Sequence, residues 1–311
     1  MATLELDINA FKSPIPFSGN EYQADKKTLS FSLLKLFNHK PKPKPESPRE
    51  SDIPKEYNCV DYKLFHVLRD FLQADSTISS RVAVDRVIAA FPYKYSDLRQ
   101  LNSVCFEVAE QIPYHHPAHL KLVHFGYNKP RPKDPTAIAN SFQERVKNFY
   151  ACLREDVWDY HPDPGSDGED PVRYVNYQAF VSLVNEGSFW NPSTGDALAI
   201  MEITFTEDHK KEASTVRDAW VMGAAQWILW GGQSLLKLHL NPRDEMVPTG
   251  ILSKSELERI MNLKRITLHT WHIWTGEFRK TAESDEFGVE CRDVAKRAAD
   301  LMEVLEKAML K

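Results

Sequence analysis

Glycine is scarce in this chain, with 12 in 311 residues. Tight β-turns draw on glycine for positive φ, so a sheet-rich protein with many hairpins is disfavoured and the composition leans helical. Cysteine is scarcer still. Cys59, Cys105, Cys152 and Cys291 stand far apart with no Cys-x-x-Cys among them, which leaves neither a zinc ribbon nor a local redox dithiol and predicts free, buried thiols in a reducing compartment. No run approaches the roughly 20 uncharged apolar residues that span a bilayer. The opening MATLELDINA holds Glu5 and Asp7 and no basic start, so no secretory leader is read there. Positive charge is not in excess either: the net charge is −5 and the pI about 6.1, so no global field draws nucleic acid or an anionic membrane. The expectation is a cytoplasmic protein with no membrane and no nucleic-acid partner.

What is present is an ordinary globular balance, 42% hydrophobic and 27% charged, with a composition shift near residue 55. Before it, Ser13-Pro14-Ile15-Pro16 and Lys40-Pro41-Lys42-Pro43-Lys44-Pro45 place prolines where neither a helix interior nor a central strand accepts them. Residues 1–55 therefore read as a largely disordered, non-regular arm, with Leu29 to Phe37 apolar enough for a short helix or docking segment. Alternating with proline, the lysines make a stiff spacer more readily than an import or nucleic-acid tail. Residues 56–311 read as a single α-helical domain.

In that domain the apolar residues recur at helical spacing. Val60, Leu64, Val67, Leu68 and Phe71 form one stripe, and Leu98, Leu101, Cys105, Val108 and Ile112 another. Val84, Ile88 and Phe91 mark a helix stopped by Pro92. Pro117 suits the first turn of a helix within His115 to Phe125. Further helices are expected at about 137–158, Val172 to Ser188, Gly195 to Glu207, Lys211 to Leu240, Leu268 to Glu283 and Phe287 to Leu310, the last with Val294, Ala298, Leu301, Leu305 and Met309 on one face. No repeat of fixed period is found, so the fold class is all-α, an irregular helical bundle or helix-pair stack. The expected core contains Leu101, Val108, Trp227, Leu235, Trp274, Leu301 and Leu305.

The chain lacks the usual marks of chemistry. There is no Gly-x-x-x-x-Gly-Lys-Ser/Thr and no Gly-x-Gly-x-x-Gly, and the adjacent Gly231 and Gly232 sit in an apolar helical run. Ser234 lacks the second glycine of a nucleophile elbow. His115, His116, His119 and His124 cluster, but Pro117 separates the first pair from the helix and no carboxylate lies between them, so a structural role outweighs a metal site. The acidic loop from Asp163 has Gly165 and Tyr174 where an EF-hand needs ligands. Asp208-His209-Lys210-Lys211-Glu212 fits a magnesium-diphosphate cluster badly. No cofactor, no metal and no catalytic residue is nominated.

The distinctive feature is aromatic. Trp220, Trp227 and Trp230 share one helix with Gly223 and Gly231, and Trp271 and Trp274 follow on the next long one. Large rings beside missing side chains either admit a neighbouring helix or leave a hollow for a flat apolar ligand. Close packing is the rule in protein cores and favours the first. If a ligand binds, these five tryptophans are the candidate residues, with His269 and His272 as proton-transfer groups beside them, one facing the rings and the other water.

The string Asp218 to Gln233 (DAWVMGAAQWILWGGQ), the segment Ile266 to Trp274 (ITLHTWHIW), the helix Glu290 to Met302 and the upstream Ala109 to Pro117 (AEQIPYHHP) together resemble a filamentous-fungal helical family catalogued as a domain of unknown function. The resemblance runs from about residue 57 to the C-terminus. Some members are encoded in secondary-metabolite gene clusters, so it implies an accessory protein of that biosynthesis, binding a small apolar metabolite or a partner enzyme. It carries no catalytic residue set. The family's usual arginine before the first tryptophan of ITLHTWHIW is here Thr270. A general helical interaction scaffold and an enzyme of a helical class without a recognised motif are the alternatives.

Overall fold

The computed structural model describes residues 3–8, 59–90, 98–127, 162, 170–186, 194–240 and 267–310. Among them are nine helices and no strand. They are α1 (Cys59–Leu72), α2 (Ser80–Ala90), α3 (Leu98–Gln111), α4 (Ala118–Tyr127), α5 (Val172–Glu186), α6 (Thr194–Thr206), α7 (Ser214–Leu240), α8 (Leu268–Glu283) and α9 (Val289–Met309). The all-α class and the helix order agree with the periodicity reading. The helix expected near 137–158, the two proline-rich runs, the Leu29 to Phe37 segment, Cys152 and most of the acidic loop lie outside the described residues.

The centre of the fold is α5, in which every residue from Tyr174 to Val184 is buried. A helix enclosed on all sides has no solvated stripe, and α5 is enclosed because α3 and α4 pack on it together with the long α7. Three of its polar side chains hydrogen-bond inside that enclosure. Asn176 Nδ2 donates to Glu110 O at 2.8 Å, Ser182 Oγ to Ala179 O at 3.0 Å, and Gln178 Oε1 accepts from Trp227 Nε1 at 2.9 Å. At its N-terminal end Arg173 reaches back to α3, gripping Glu110 Oε2 through Nε at 3.0 Å and Nη2 at 2.7 Å. Glu107 stands 3.4 Å from the same Nη2.

On the other side, α8 and α9 form a hairpin that packs on α7. Asp218 at the start of α7 takes the Gly288 N–H with both carboxylate oxygens, at 3.3 and 3.1 Å. That ties the entry of α9 to α7, and a Cβ on Gly288 would meet Asp218 Oδ2. Arg279 on α8 bridges to Asp300 and Glu303 on α9. The buried stripe of α9 is Cys291, Val294, Ala295, Ala298, Ala299 and Met302, turned from the expected one: Leu301, Leu305 and Met309 lie at its edge, half-buried. Alanines at the contact let the three helices approach closely, which moves the larger leucines to the rim. Leu101, Val108, Trp227, Leu235 and Trp274 are in the core as expected.

Candidate binding site

The five tryptophans do not wall one chamber. Trp220, Trp227, Trp271 and Trp274 are buried and Trp230 is half-buried, and each of four indole N–H groups has its own partner. Trp220 Nε1 donates to Glu212 Oε2 at 3.0 Å, Trp227 to Gln178, Trp230 to Gln226 Oε1 at 3.2 Å and Trp271 to Met302 O at 3.4 Å. Two of the three glycines of α7 are occupied from neighbouring helices: the Tyr174 ring fills the place of a side chain at Gly223, and Leu305 Cδ1 stands 3.1 Å from where a Cβ on Gly232 would lie, whereas a Cβ on Gly231 would meet nothing closer than 3.9 Å. Beside Trp227 a recess remains, lined by Ser182, Asn185, Glu186, Gly231, Ser234 and Leu235, of about 10 Å³. That is room for about one water.

His269 and His272 are both exposed. The buried stripe of α8 is Trp271, Trp274, Phe278 and Thr281. At about 100° per residue, positions 269 and 272 both fall on the face of the helix turned away from that stripe, so neither histidine faces the rings. His272 Nε2 instead meets Glu306 Oε1 of α9 at 2.9 Å. The upstream histidines also diverge. His119 is fully buried with Nε2 bonded to Ile112 O at 2.9 Å, His116 Nδ1 accepts the Ala118 N–H at the start of α4, and His115 stacks edge-on against Tyr114. No group of three or more His, Cys, Asp or Glu able to hold a metal occurs among the described residues. Nor is any described helix long and apolar enough to cross a membrane.

Residues 3–8 supply a different kind of site. They lie as a strip whose even positions turn inward: Leu4 is buried, Leu6 and Ile8 pack half-buried against the core, and Thr3, Glu5 and Asp7 are exposed. Two glutamines at the C-terminal ends of α1 and α3 hold its main chain. Gln73 Oε1 accepts from Leu4 N–H at 3.1 Å and Gln73 Nε2 donates to Leu4 O at 3.0 Å, so one amide side chain satisfies both backbone groups of one residue, as a neighbouring strand would. Gln111 Oε1 accepts from Asp7 N–H at 2.7 Å.

Both glutamines are oriented by the same device. Gln73 Nε2 also donates to Arg69 O at 3.1 Å, and Gln111 Nε2 to Glu107 O at 3.3 Å. Each amide is thereby tied to the carbonyl four residues back, in the last turns of its own helix, and its oxygen accepts from the strip. Lys121 Nζ of α4 reaches Gln73 O at 2.7 Å and fixes the end of α1 from behind. Reading residues 1–55 as an arm does not anticipate this docking. Its signal was the strict alternation Leu4-Glu5-Leu6-Asp7-Ile8, a half-buried extended pattern in a chain otherwise scanned for helices.

Residues 103–278, more than half of the chain, match the family described as Protein of unknown function (DUF3632). The chain belongs to this family. No curated protein and no solved structure matches it. The DUF3632 segment takes in most of α3, all of α4 to α7 and the tryptophans at 220, 227, 230, 271 and 274. Gln111 and Lys121 fall within it, whereas Gln73, the 3–8 strip and α9 lie outside. The groove is thus built half from the DUF3632 segment and half from the chain before it.

Proposed function

We propose that this DUF3632 protein is a non-catalytic accessory protein that works by binding a partner polypeptide, in the secondary-metabolite biosynthesis that the family resemblance implies, with a biosynthetic enzyme as the partner. The observation that carries the reading is the Gln73 and Gln111 pair gripping the main chain of residues 3–8. Amide side chains held ready for backbone N–H and C=O groups recognise an extended peptide, whatever its side chains, by the bonds that add a strand to a sheet edge. A metabolite reading draws on the recess beside Trp227, whose volume of about 10 Å³ admits about one water and no ring system. The polypeptide reading has the larger built surface.

Deletion of the gene in its native organism with metabolite profiling, run alongside affinity purification of the tagged full chain, tests the reading. The expected result is an altered profile and a biosynthetic enzyme recovered at a fixed ratio to the chain. An unchanged profile with the gene expressed, and no stable partner recovered, would sink it.

A further inference from the structure

We propose that residues 3–8 are a strap that locks the helix pair α1 and α2 onto α3 and α4, so that strip and pair close together and neither opens without releasing the other. The lock is internal to the chain and acts whether or not a partner is bound.

The strip is gripped at two points that belong to two different helices. Gln73, the residue after α1, holds the N–H and the C=O of Leu4 at 3.1 and 3.0 Å. Gln111, the last residue of α3, takes the Asp7 N–H at 2.7 Å. An extended chain covers at most about 10–11 Å over three residues, so both grips are made only while the ends of α1 and α3 stand side by side. The apolar side chains follow the same rule. Leu4 is 7% exposed, and Leu6 and Ile8 pack half-buried against the core, so their burial is gained when the two helix ends meet and given up when they part.

The seam is closed from its other side by α4. Lys121 Nζ reaches Gln73 O at 2.7 Å and stands 6.0 Å over the Phe71 ring, whose centroid lies 6.0 Å from that of Phe125. Gln73 is thus held by its carbonyl to α4 and by its side chain to the strip. α1 and α2 pack on each other and on α3 and α4, while α5 is enclosed by α3, α4 and α7. Helices at the margin of a fold open at lower free energy than its enclosed centre, and they open in contiguous units. Coupling between two such events is reciprocal: the factor by which the docked strip favours closure of α1 on α3 is the factor by which closure favours docking of the strip.

Hydrogen exchange of the full chain, read by mass spectrometry, tests both directions. Leu4→Asp, whose side chain no longer suits the apolar site, is expected to speed exchange in α1 and α2 about tenfold or more and to leave α5 and α7 as in the wild type. Leu4→Ala is expected to give the same pattern to a smaller extent and carries the test if Leu4→Asp fails to fold. In the reverse direction, Lys121→Met removes the grip on Gln73 O while leaving every strip residue as it is, and is expected to speed exchange of residues 3–8 together with α1. Unchanged exchange of α1 and α2 in the Leu4 variants overturns the proposal, since the strip is then a passenger. Equal acceleration in α5 and α7 overturns it too, by making the strip one part of a single cooperative core. A Lys121→Met chain whose strip stays as protected as in the wild type breaks the reciprocity and overturns it as well.

Discussion

Gly223 on α7 faces Tyr174 on α5 so closely that a Cβ at position 223 would lie inside the van der Waals envelope of Tyr174 Cε1. Tyr174 is buried and its ring packs edge-on against Trp220 at 5.2 Å, so it has no open side to retreat to. The glycine is there because the ring of the next helix takes the place of its side chain. Gly223→Ala should therefore destabilise the fold by about 1–3 kcal/mol, the usual cost of overpacking a core. Gly276 on α8 is its control: a Cβ there meets nothing within 4 Å, and Gly276→Ala should stabilise by about 0.5–1 kcal/mol through helix propensity. Urea unfolding of both variants checks the contrast, and equal effects of the same sign would refute it.

Arg173 of α5 makes an ion pair with Glu110 of α3. Glu110 is 6% exposed and receives two bonds from Arg173. Withdrawing the guanidinium and its two bonds from a carboxylate so enclosed weakens the solvation of its charge, so Arg173→Leu should cost up to about 3–5 kcal/mol. Arg173→Lys keeps the charge but not the two-pronged geometry, and should recover only part of that loss. Chemical denaturation of the pair decides it. A lysine variant as stable as the wild type would show that charge alone is what Glu110 needs.

Helix order was legible because Leu101, Val108 and Ile112 on α3, and Trp271, Trp274 and Phe278 on α8, repeat at three and four and do face the core. Rotation about the axis was less legible. On α9 the pattern through Leu301 and Leu305 competes with one through Ala295, Ala299 and Met302, and hydrophobicity alone ranks leucine first. Close approach to α7 and α8 selects the small residues, and that depends on partners that no single-helix pattern names. The same limit governs the aromatic region. Its tryptophans were visible as a cluster along the sequence, but their indole partners are Gln178, Glu212 and Met302, the first 49 residues from Trp227. The docking strip was written plainly in an alternation of five residues. It was hidden by its distance from Gln73 and Gln111, to which nothing local in the chain connects it.

Trp227 and Gln178 form a buried polar pair between α7 and α5, both essentially without solvent contact. Trp227→Phe retains most of the apolar volume but withdraws the donor from Gln178 Oε1. A buried amide oxygen left without its hydrogen bond costs about 1–3 kcal/mol, to which the smaller ring adds a cavity cost. Gln178→Leu in the same chain removes the stranded oxygen, so the double variant should be more stable than the sum of the two single losses predicts. Strict additivity in a double-mutant cycle would show that the indole N–H and Gln178 contribute independently.

The last prediction follows from His119, which is fully buried at the head of α4. Its Nε2 bonds to Ile112 O at 2.9 Å, and Nδ1 has no hydrogen-bond partner among the described residues. Protonating the ring would place a second N–H and a charge where nothing receives them. Burial accordingly pushes its pKa down from 6.5 to about 4, the nearby His116 and His115 acting in the same direction and the Ile112 bond opposing. In the unfolded chain the ring titrates near its ordinary value, so between those limits the unfolded state binds more protons. Stability is fully present above pH 6.5 and is lost as pH falls toward 4. Each pH unit inside the window is worth up to about 1.4 kcal/mol, so His119 should remove about 2 kcal/mol between pH 7.5 and pH 5. His66 and His116 are also lowered, chiefly by burial, and add losses of the same sign, so the decisive quantity is a difference between slopes. His119→Gln retains a side-chain N–H donor but does not titrate. Its urea midpoint should fall less steeply with acid than that of the wild type, by close to one proton's worth, whatever its stability at neutral pH. Parallel pH profiles for the two proteins would mean that the ring is reached by solvent and that its burial does not govern the acid sensitivity of the fold.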